Sequence, residues 1–85
     1  MNLSEQFVKA QEESKQLKER PDNETLLKLY ALFKQGTSGD APEEGPSNPF
    51  DIVRMAKYQA WSALRGMSAE KAQEDYVALV ERLKS

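Results

Sequence analysis

The sequence predicts an all-α domain of four helices, and three observations carry that reading. Apolar residues recur at steps of three and four in four separate stretches, the spacing of one helix face. A residue able to cap a helix stands before each stretch, and no stretch reads as a strand. With 85 residues the chain can enclose only one core, so residues 1–85 are expected to form a single domain.

The first helix is expected to start at a Ser4 cap and to carry Phe7, Ala10, Ser14 and Leu17 on one face. It should stop near Arg20, because Pro21 disfavours a helical conformation at the residue before it. Asp22 or Asn23 caps the second helix. There Leu26, Leu29 and Phe33 form one stripe, and Leu27, Tyr30, Ala31 and Lys34 an adjoining one, so the apolar arc is wide. From Gly36 to Pro46 the chain is rich in turn and breaker residues and has no periodicity, which reads as a connecting loop. Asn48-Pro49 then looks like a cap followed by proline at the first helical position, with Asp51 in the first turn to complement the helix dipole. This third helix should run to Arg65 and end at Gly66. It carries Val53, Lys57, Ala60, Trp61 and Leu64 on one side and Ile52, Ala56 and Ala63 on a neighbouring side. Ser68 caps the last helix, where Ala72, Tyr76, Leu79, Val80 and Leu83 give the cleanest amphipathic pattern of the chain.

Composition excludes several functions. The chain has neither cysteine nor histidine. Disulfides, thiolate nucleophiles, zinc-thiolate sites and Ser-His-Asp or Cys-His catalysis are therefore ruled out, and an enzyme is not expected. The net charge of -2 lacks the basic footprint of a duplex-binding protein, so no nucleic-acid partner is expected. A mean hydropathy of -0.75 with 31% charged residues describes a globular chain. No apolar run approaches the roughly 18 to 20 residues of a membrane span, and no stable membrane insertion is expected. Met1–Gln6 has neither the basic head nor the apolar stretch of a secretory signal, so a cytoplasmic location is expected.

Few residues could carry chemistry. Gly36-Thr37-Ser38-Gly39 lacks the Lys-Ser/Thr of a phosphate-cradling P-loop and follows no strand, so it reads as structural. Glu12-Glu13 and Glu43-Glu44 are adjacent pairs whose side chains do not converge, and they read as solvated surface. More informative is a set of aromatic and basic residues. Tyr30, Phe33 and Lys34 lie on the second helix, Lys57, Tyr58 and Trp61 on the third, and Tyr76 on the fourth. An aromatic face beside an ammonium can stack a base and neutralise a phosphate together. Trp61, one helical step from Leu64, is more readily read as core, whereas Tyr58 is open between the two readings. Spacing alone leads no further than a helical domain able to bind something flat and anionic.

The order of these pieces resembles the acyl-CoA-binding protein family across essentially the whole chain. The similarity runs through Phe7-Val8-Lys9-Ala10, Leu17-Lys18 and the block Leu29-Tyr30-Ala31-Leu32-Phe33-Lys34-Gln35-Gly36-Thr37-Ser38-Gly39-Asp40. It continues in Ala56-Lys57-Tyr58-Gln59-Ala60-Trp61 and Leu64-Arg65-Gly66-Met67-Ser68, then in Ala72 and Tyr76. The resemblance implies an up-down four-helix fold that holds a nucleotide head group at its rim and an acyl chain in an interhelical groove. By position, Tyr30 would pack on the adenine and Lys34 would meet the 3'-phosphate. Lys57 would meet phosphate, Tyr76 would contact the nucleotide, and Tyr30, Ala31, Leu32, Phe33 and Lys34 would be contacted as a unit. Ala10 and Leu27 would line the acyl groove, with Lys15 near its edge.

This chain departs from the family pattern in three places. Many members have tyrosine at Phe33, and many have lysine where Val53 stands, with Arg54 beside it as the candidate substitute. The loop from Ala41 to Phe50 is about one residue longer than usual, and Glu43-Glu44 replaces a more basic stretch. The function implied is a non-catalytic carrier of medium- and long-chain fatty acyl-CoA for pool buffering and transport. It would be monomeric, need no cofactor and meet acyl-CoA-using enzymes transiently. Two rivals are a helical interaction module gripping a partner through the wide arc of the second helix, and a thioesterase or transferase. The latter would need a nucleophile-base pair, and none is visible.

Overall fold

The computed structural model describes residues 1–85. They form four α-helices and no strand: α1 (Leu3–Ser14), α2 (Asn23–Ser38), α3 (Ile52–Ser62) and α4 (Ala69–Lys84). Each start is fixed by a side chain that accepts an otherwise unpaired N–H of the first turn. Asp22 accepts from Thr25 at 2.8 Å, and Ser68 accepts from Lys71 at 3.1 Å.

Five boundaries differ from the sequence reading. Asn2, not Ser4, caps α1, because its Oδ1 takes the Glu5 amide at 2.9 Å. The same helix ends at Ser14 rather than near Arg20. Ser14 Oγ donates back to the Gln11 carbonyl at 2.8 Å and accepts from the Tyr76 hydroxyl at 3.2 Å, so side chains close the last turn well before Pro21. α2 continues through Gly36 to Ser38, and it is Gly39, at φ +80°, that breaks it. Gly36 serves close approach instead. A Cβ there would lie 3.0 Å from Gln73 Cγ and 3.2 Å from Phe7 Cζ. Asp51, not Asn48, caps α3. Asn48 Oδ1 accepts from the Phe50 amide at 3.0 Å, a local turn that leaves Pro49 outside the helix. α3 stops at Ser62, and residues 63–66 continue in turns up to Gly66, at φ +94°.

α2 packs against both α4 and α3, while α1 packs on α4. The core cluster is Phe7 and Ala10 of α1, Leu29 and Leu32 of α2, and Ala72, Tyr76, Leu79 and Val80 of α4. Phe7 meets Tyr76 edge-on, with ring centroids 5.2 Å apart. α3 contributes no buried side chain. It packs on α2, and polar groups of α3 and of the turn after it also tie it to the 39–43 segment. Trp61 Nε1–H donates to the Gly39 carbonyl at 2.8 Å, Arg65 to the Ala41 carbonyl at 2.8 Å, and the Tyr58 hydroxyl to the Pro42 carbonyl at 2.6 Å. No helix is long and apolar enough to cross a membrane.

Gln35 and Asp40 anchor this segment. The fully buried Gln35 amide donates to Asp40 Oδ1 and to the Met67 carbonyl, both at 2.8 Å. Asp40 Oδ1 also accepts from the Gly66 amide at 2.9 Å. The Gly66 N–H, then the Gln35 amide and the Arg65 charge, hold the Asp40 carboxyl below the usual carboxylate range. A carboxylate depressed on folding stabilises the native state above its unfolded pKa of about 3.9, and the contribution disappears as pH falls through the lower folded value. Asp40→Asn should therefore melt at a lower temperature than wild type at neutral pH. The gap should shrink below about pH 4, as measured by thermal unfolding across a pH series.

Candidate functional site

Tyr30 and Lys34 stand one turn apart on α2, and Lys57 and Trp61 one turn apart on α3, so the packing of the two helices brings the pairs together crosswise. Lys57 Nζ lies over the Tyr30 ring, 5.2 Å from its centroid, and Lys34 Nζ lies over the Trp61 ring at 4.9 Å. An open cavity of about 480 Å³ lies here, walled by Tyr30, Arg54, Lys57, Tyr58 and Trp61. Its far wall is the connecting loop, through Pro42, Glu44, Gly45 and Pro46. Tyr58 fixes that loop from below. Its ring would stand 3.1 Å from a Cβ at Gly45, so only glycine lets the main chain run this close.

An apolar groove of about 390 Å³ runs on from the cavity between α2 and α3. Leu26 and Leu27 form one side, and Ile52, Val53 and Ala56 the other. Lys57 borders both spaces, and Arg20 and Asn23 lie along the groove as well. Beyond Leu27 a further cleft of about 490 Å³ is lined by Ala31, Leu32, Ala60, Leu64 and Met67. The arrangement is cationic and aromatic at one end and hydrocarbon-like along the rest. It matches an amphiphile with an anionic, flat head and an apolar tail.

Of the residues selected from sequence, the structure gathers Tyr30, Arg54 and Lys57 at the cavity, with Lys34 beside it against the Trp61 ring, and Leu27 at the groove. It does not bring the others there. Tyr76 is buried against Phe7, and its hydroxyl is engaged with Ser14. Phe33 is half-buried, with its ring centroid 6.3 Å from that of Phe7. Ala10 lies in the core on α1, which packs on α4 rather than beside the groove. Ala31 and Leu32 are buried and face the further cleft. Lys15 is exposed just past the end of α1.

Four contributors were missed or read differently. Trp61 is half-buried and forms cavity wall rather than plain core, and its four-residue step from Lys57, matching that from Tyr30 to Lys34, was the available signal. Ile52 and Ala56 form the side of the groove that their own stripe marked. Glu44, read as solvated surface, stands in the cavity wall, and no local pattern could show that. No group of three or more acidic, histidine or cysteine residues is placed to hold a metal ion.

The acyl CoA binding protein family profile matches residues 4–80, nearly the whole chain. The chain belongs to the acyl-CoA-binding protein family. Acyl-CoA-binding protein homolog 1 of Caenorhabditis elegans is 52% identical over 69 residues, covering 81% of this chain and 79% of that protein. The crystal structure of acyl-CoA-binding protein 2 of Oryza sativa superposes with a TM-score of 0.87 at 36% identity, covering 96% of this chain and 90% of the other. Enoyl-CoA delta isomerase 2 of Rattus norvegicus is 44% identical over 79 residues, but the match spans 93% of this chain and only 20% of the isomerase. The family's domain thus also occurs as a minor part of a longer enzyme.

The crossed lysine-aromatic pairs have an optical consequence, since Trp61 is the only tryptophan. Lys34→Met should alter the emission of Trp61 in the ligand-free protein, whereas Lys15→Met should leave it unchanged. Identical spectra for all three proteins would show that the ammonium does not rest on the indole in solution.

Proposed function

We propose that the protein is a non-catalytic carrier of medium- and long-chain fatty acyl-CoA thioesters. The head group would sit in the cavity between Tyr30, Lys34, Arg54, Lys57 and Trp61, and the acyl chain in the α2–α3 groove. The observation that carries this reading is the continuity of the two spaces at Lys57. A cationic site alone would suit any nucleotide, and an apolar groove alone any lipid. Their junction suits a molecule that is both. Membership of the family supports the same ligand.

Magnitudes favour the exchange that binding requires. A lysine resting on an exposed ring gains about 0.5–1 kcal/mol, whereas a charge-assisted hydrogen bond to phosphate is worth about 1.5–3 kcal/mol. Lys34 and Lys57 would therefore leave the rings for phosphate and free Tyr30 for stacking by the base. Each buried methylene adds up to about 0.8 kcal/mol, so about fourteen of them supply roughly 11 kcal/mol before ordering costs. Long chains should dominate affinity. The protein's net charge of -2 does not oppose this, because charges beyond about 8 to 10 Å are screened and the local cations prevail.

No nucleophile-base pair stands at the junction, and the Thr37 and Ser62 hydroxyls donate to main-chain carbonyls of their own helices. Carriage in the cytoplasm as a monomer, with transient delivery to acyl-CoA-using enzymes, is the role proposed. Calorimetric titration should give one palmitoyl-CoA per chain and much weaker binding of free palmitate, and incubation should release no free thiol. Equal affinities for thioester and acid would remove the head-group argument.

Two substitutions resolve the cavity. Lys34→Ala should weaken acyl-CoA binding by about 1.5–3 kcal/mol while barely changing stability, and should matter little for a ligand lacking the 3'-phosphate. Glu44→Gln removes the one carboxylate in the cavity wall and should tighten binding by about threefold to tenfold at low ionic strength. High salt should erase that gain. A loss of affinity would instead mean that Glu44 accepts a hydrogen bond from the head group.

A further inference from the structure

The apolar space does not end with the groove. Leu27 borders both the groove and the further cleft, whose volume of about 490 Å³ exceeds the groove's 390 Å³. One stripe of α3 runs along the two. Ala56 walls the groove and Ala60 the cleft, one turn apart on the same helix face, and Leu64 continues that wall just past the helix end. On α2 the same step separates Leu27 from Ala31, and the small side chains of Ala31, Ala56 and Ala60 leave the passage open. At its far end the cleft shares Lys28, Leu32 and Asp75 with a recess of about 150 Å³ that Arg82 also lines. Neither Lys28 nor Arg82 belongs to an ion pair, whereas Asp75 is taken by Lys71 at 2.8 Å. Glu24, the other carboxylate at the cleft, lies in the first turn of α2, where the helix dipole offsets its charge. The path therefore has free cations at both ends and hydrocarbon between them.

We propose that the protein accepts acyl-CoA thioesters whose tail ends in a second carboxylate, the mono-CoA thioesters of long-chain dioic acids, with the ω-carboxylate held at Lys28 and Arg82. The inference deepens the carrier reading and rests on it. Charge decides the ligand class. A methyl terminus needs no polar partner, and Leu32, Leu64 and Met67 would suffice for it. A carboxylate drawn along an apolar passage is strongly disfavoured unless charged donors meet it at the end. Arg82 offers a planar fork able to take both carboxylate oxygens, and Lys28 adds a second positive charge. Both side chains are exposed, so the carboxylate keeps part of its hydration there and its desolvation cost stays small. A chain that stopped at Leu27 would leave the larger of the two apolar spaces unfilled. One that runs on to Lys28 fills both and ends where its second charge is matched.

The test is calorimetric titration of the full chain with a series from dodecanedioyl-CoA to eicosanedioyl-CoA, each beside the unsubstituted acyl-CoA of the same length. At the length that reaches Lys28 the dioic thioester should bind within about threefold of its unsubstituted partner or more tightly, whereas shorter ones should lose about tenfold or more because their charge is stranded in the cleft. The double variant Lys28→Gln, Arg82→Gln should then weaken the favoured dioic thioester by about fivefold and leave palmitoyl-CoA unchanged. Lys28→Arg, which keeps the charge, should retain the wild-type affinity. Both positions are exposed, so the variants should fold, with circular dichroism matching wild type. High salt should shrink the effect of the double variant. Palmitoyl-CoA binding with every dioic thioester at least about tenfold weaker overturns the inference and leaves the carrier reading standing. Dioic binding that the double variant does not change overturns it as well. If neither kind of thioester binds, the carrier reading falls and this inference falls with it.

Discussion

The buried amide of Gln35 is the point at which the molecule is tied together. It stands near the end of α2 and donates both to Asp40, just past that helix, and to Met67, just before α4. Asp40 in turn accepts from Gly66 at the end of the α3–α4 turn. Two stretches of chain 32 positions apart thus share one polar junction around the buried Gln35. Its cost is visible, because Gln35 Oε1 is buried without a protein hydrogen-bond partner. An unsatisfied group of that kind costs about 1–3 kcal/mol. The bonds to Met67 and to the ionised Asp40 offset it, and they fix where the connecting loop leaves α2. Everything about the cavity follows from that exit, since the loop forms its far wall and Trp61 is held by the Gly39 carbonyl.

Helix number, order and class were legible in the sequence, because periodic apolar spacing and capping residues are local properties. Some of the boundaries that went astray did so for non-local reasons. Nothing within α1 announces that Tyr76, 62 positions away, will engage Ser14 at its end. Gly36 looks like a helix breaker until α4 is present, and then it is the residue that lets Gln73 and Phe7 approach. Ser4, Asn48 and Asp51 are all plausible caps, and which of them is used depends on how the neighbouring turn closes.

The site was legible in part for the same reason. Tyr30 with Lys34, and Lys57 with Trp61, are pairs one turn apart, and a helical reading shows each pair on one face. The crossing of the pairs and the place of Glu44 depend on how α2, α3 and the loop are packed, which spacing does not contain. The family resemblance carried further residues forward by position. The structure places Ala10 and Tyr76 in the core and Phe33 against it, where each supports the α1–α2–α4 packing.

α3 packs on α2 yet adds no buried side chain to that core, and polar groups of α3 and of the turn after it tie it to one loop. Cooperative units with few buried apolar contacts open at lower free energy than the rest of a protein. α3 should accordingly open at lower free energy than the α1–α2–α4 layer. A cargo enclosed between α2 and α3 would then have its residence time set by the breathing of that single element. Release would need neither global unfolding nor a dedicated lid.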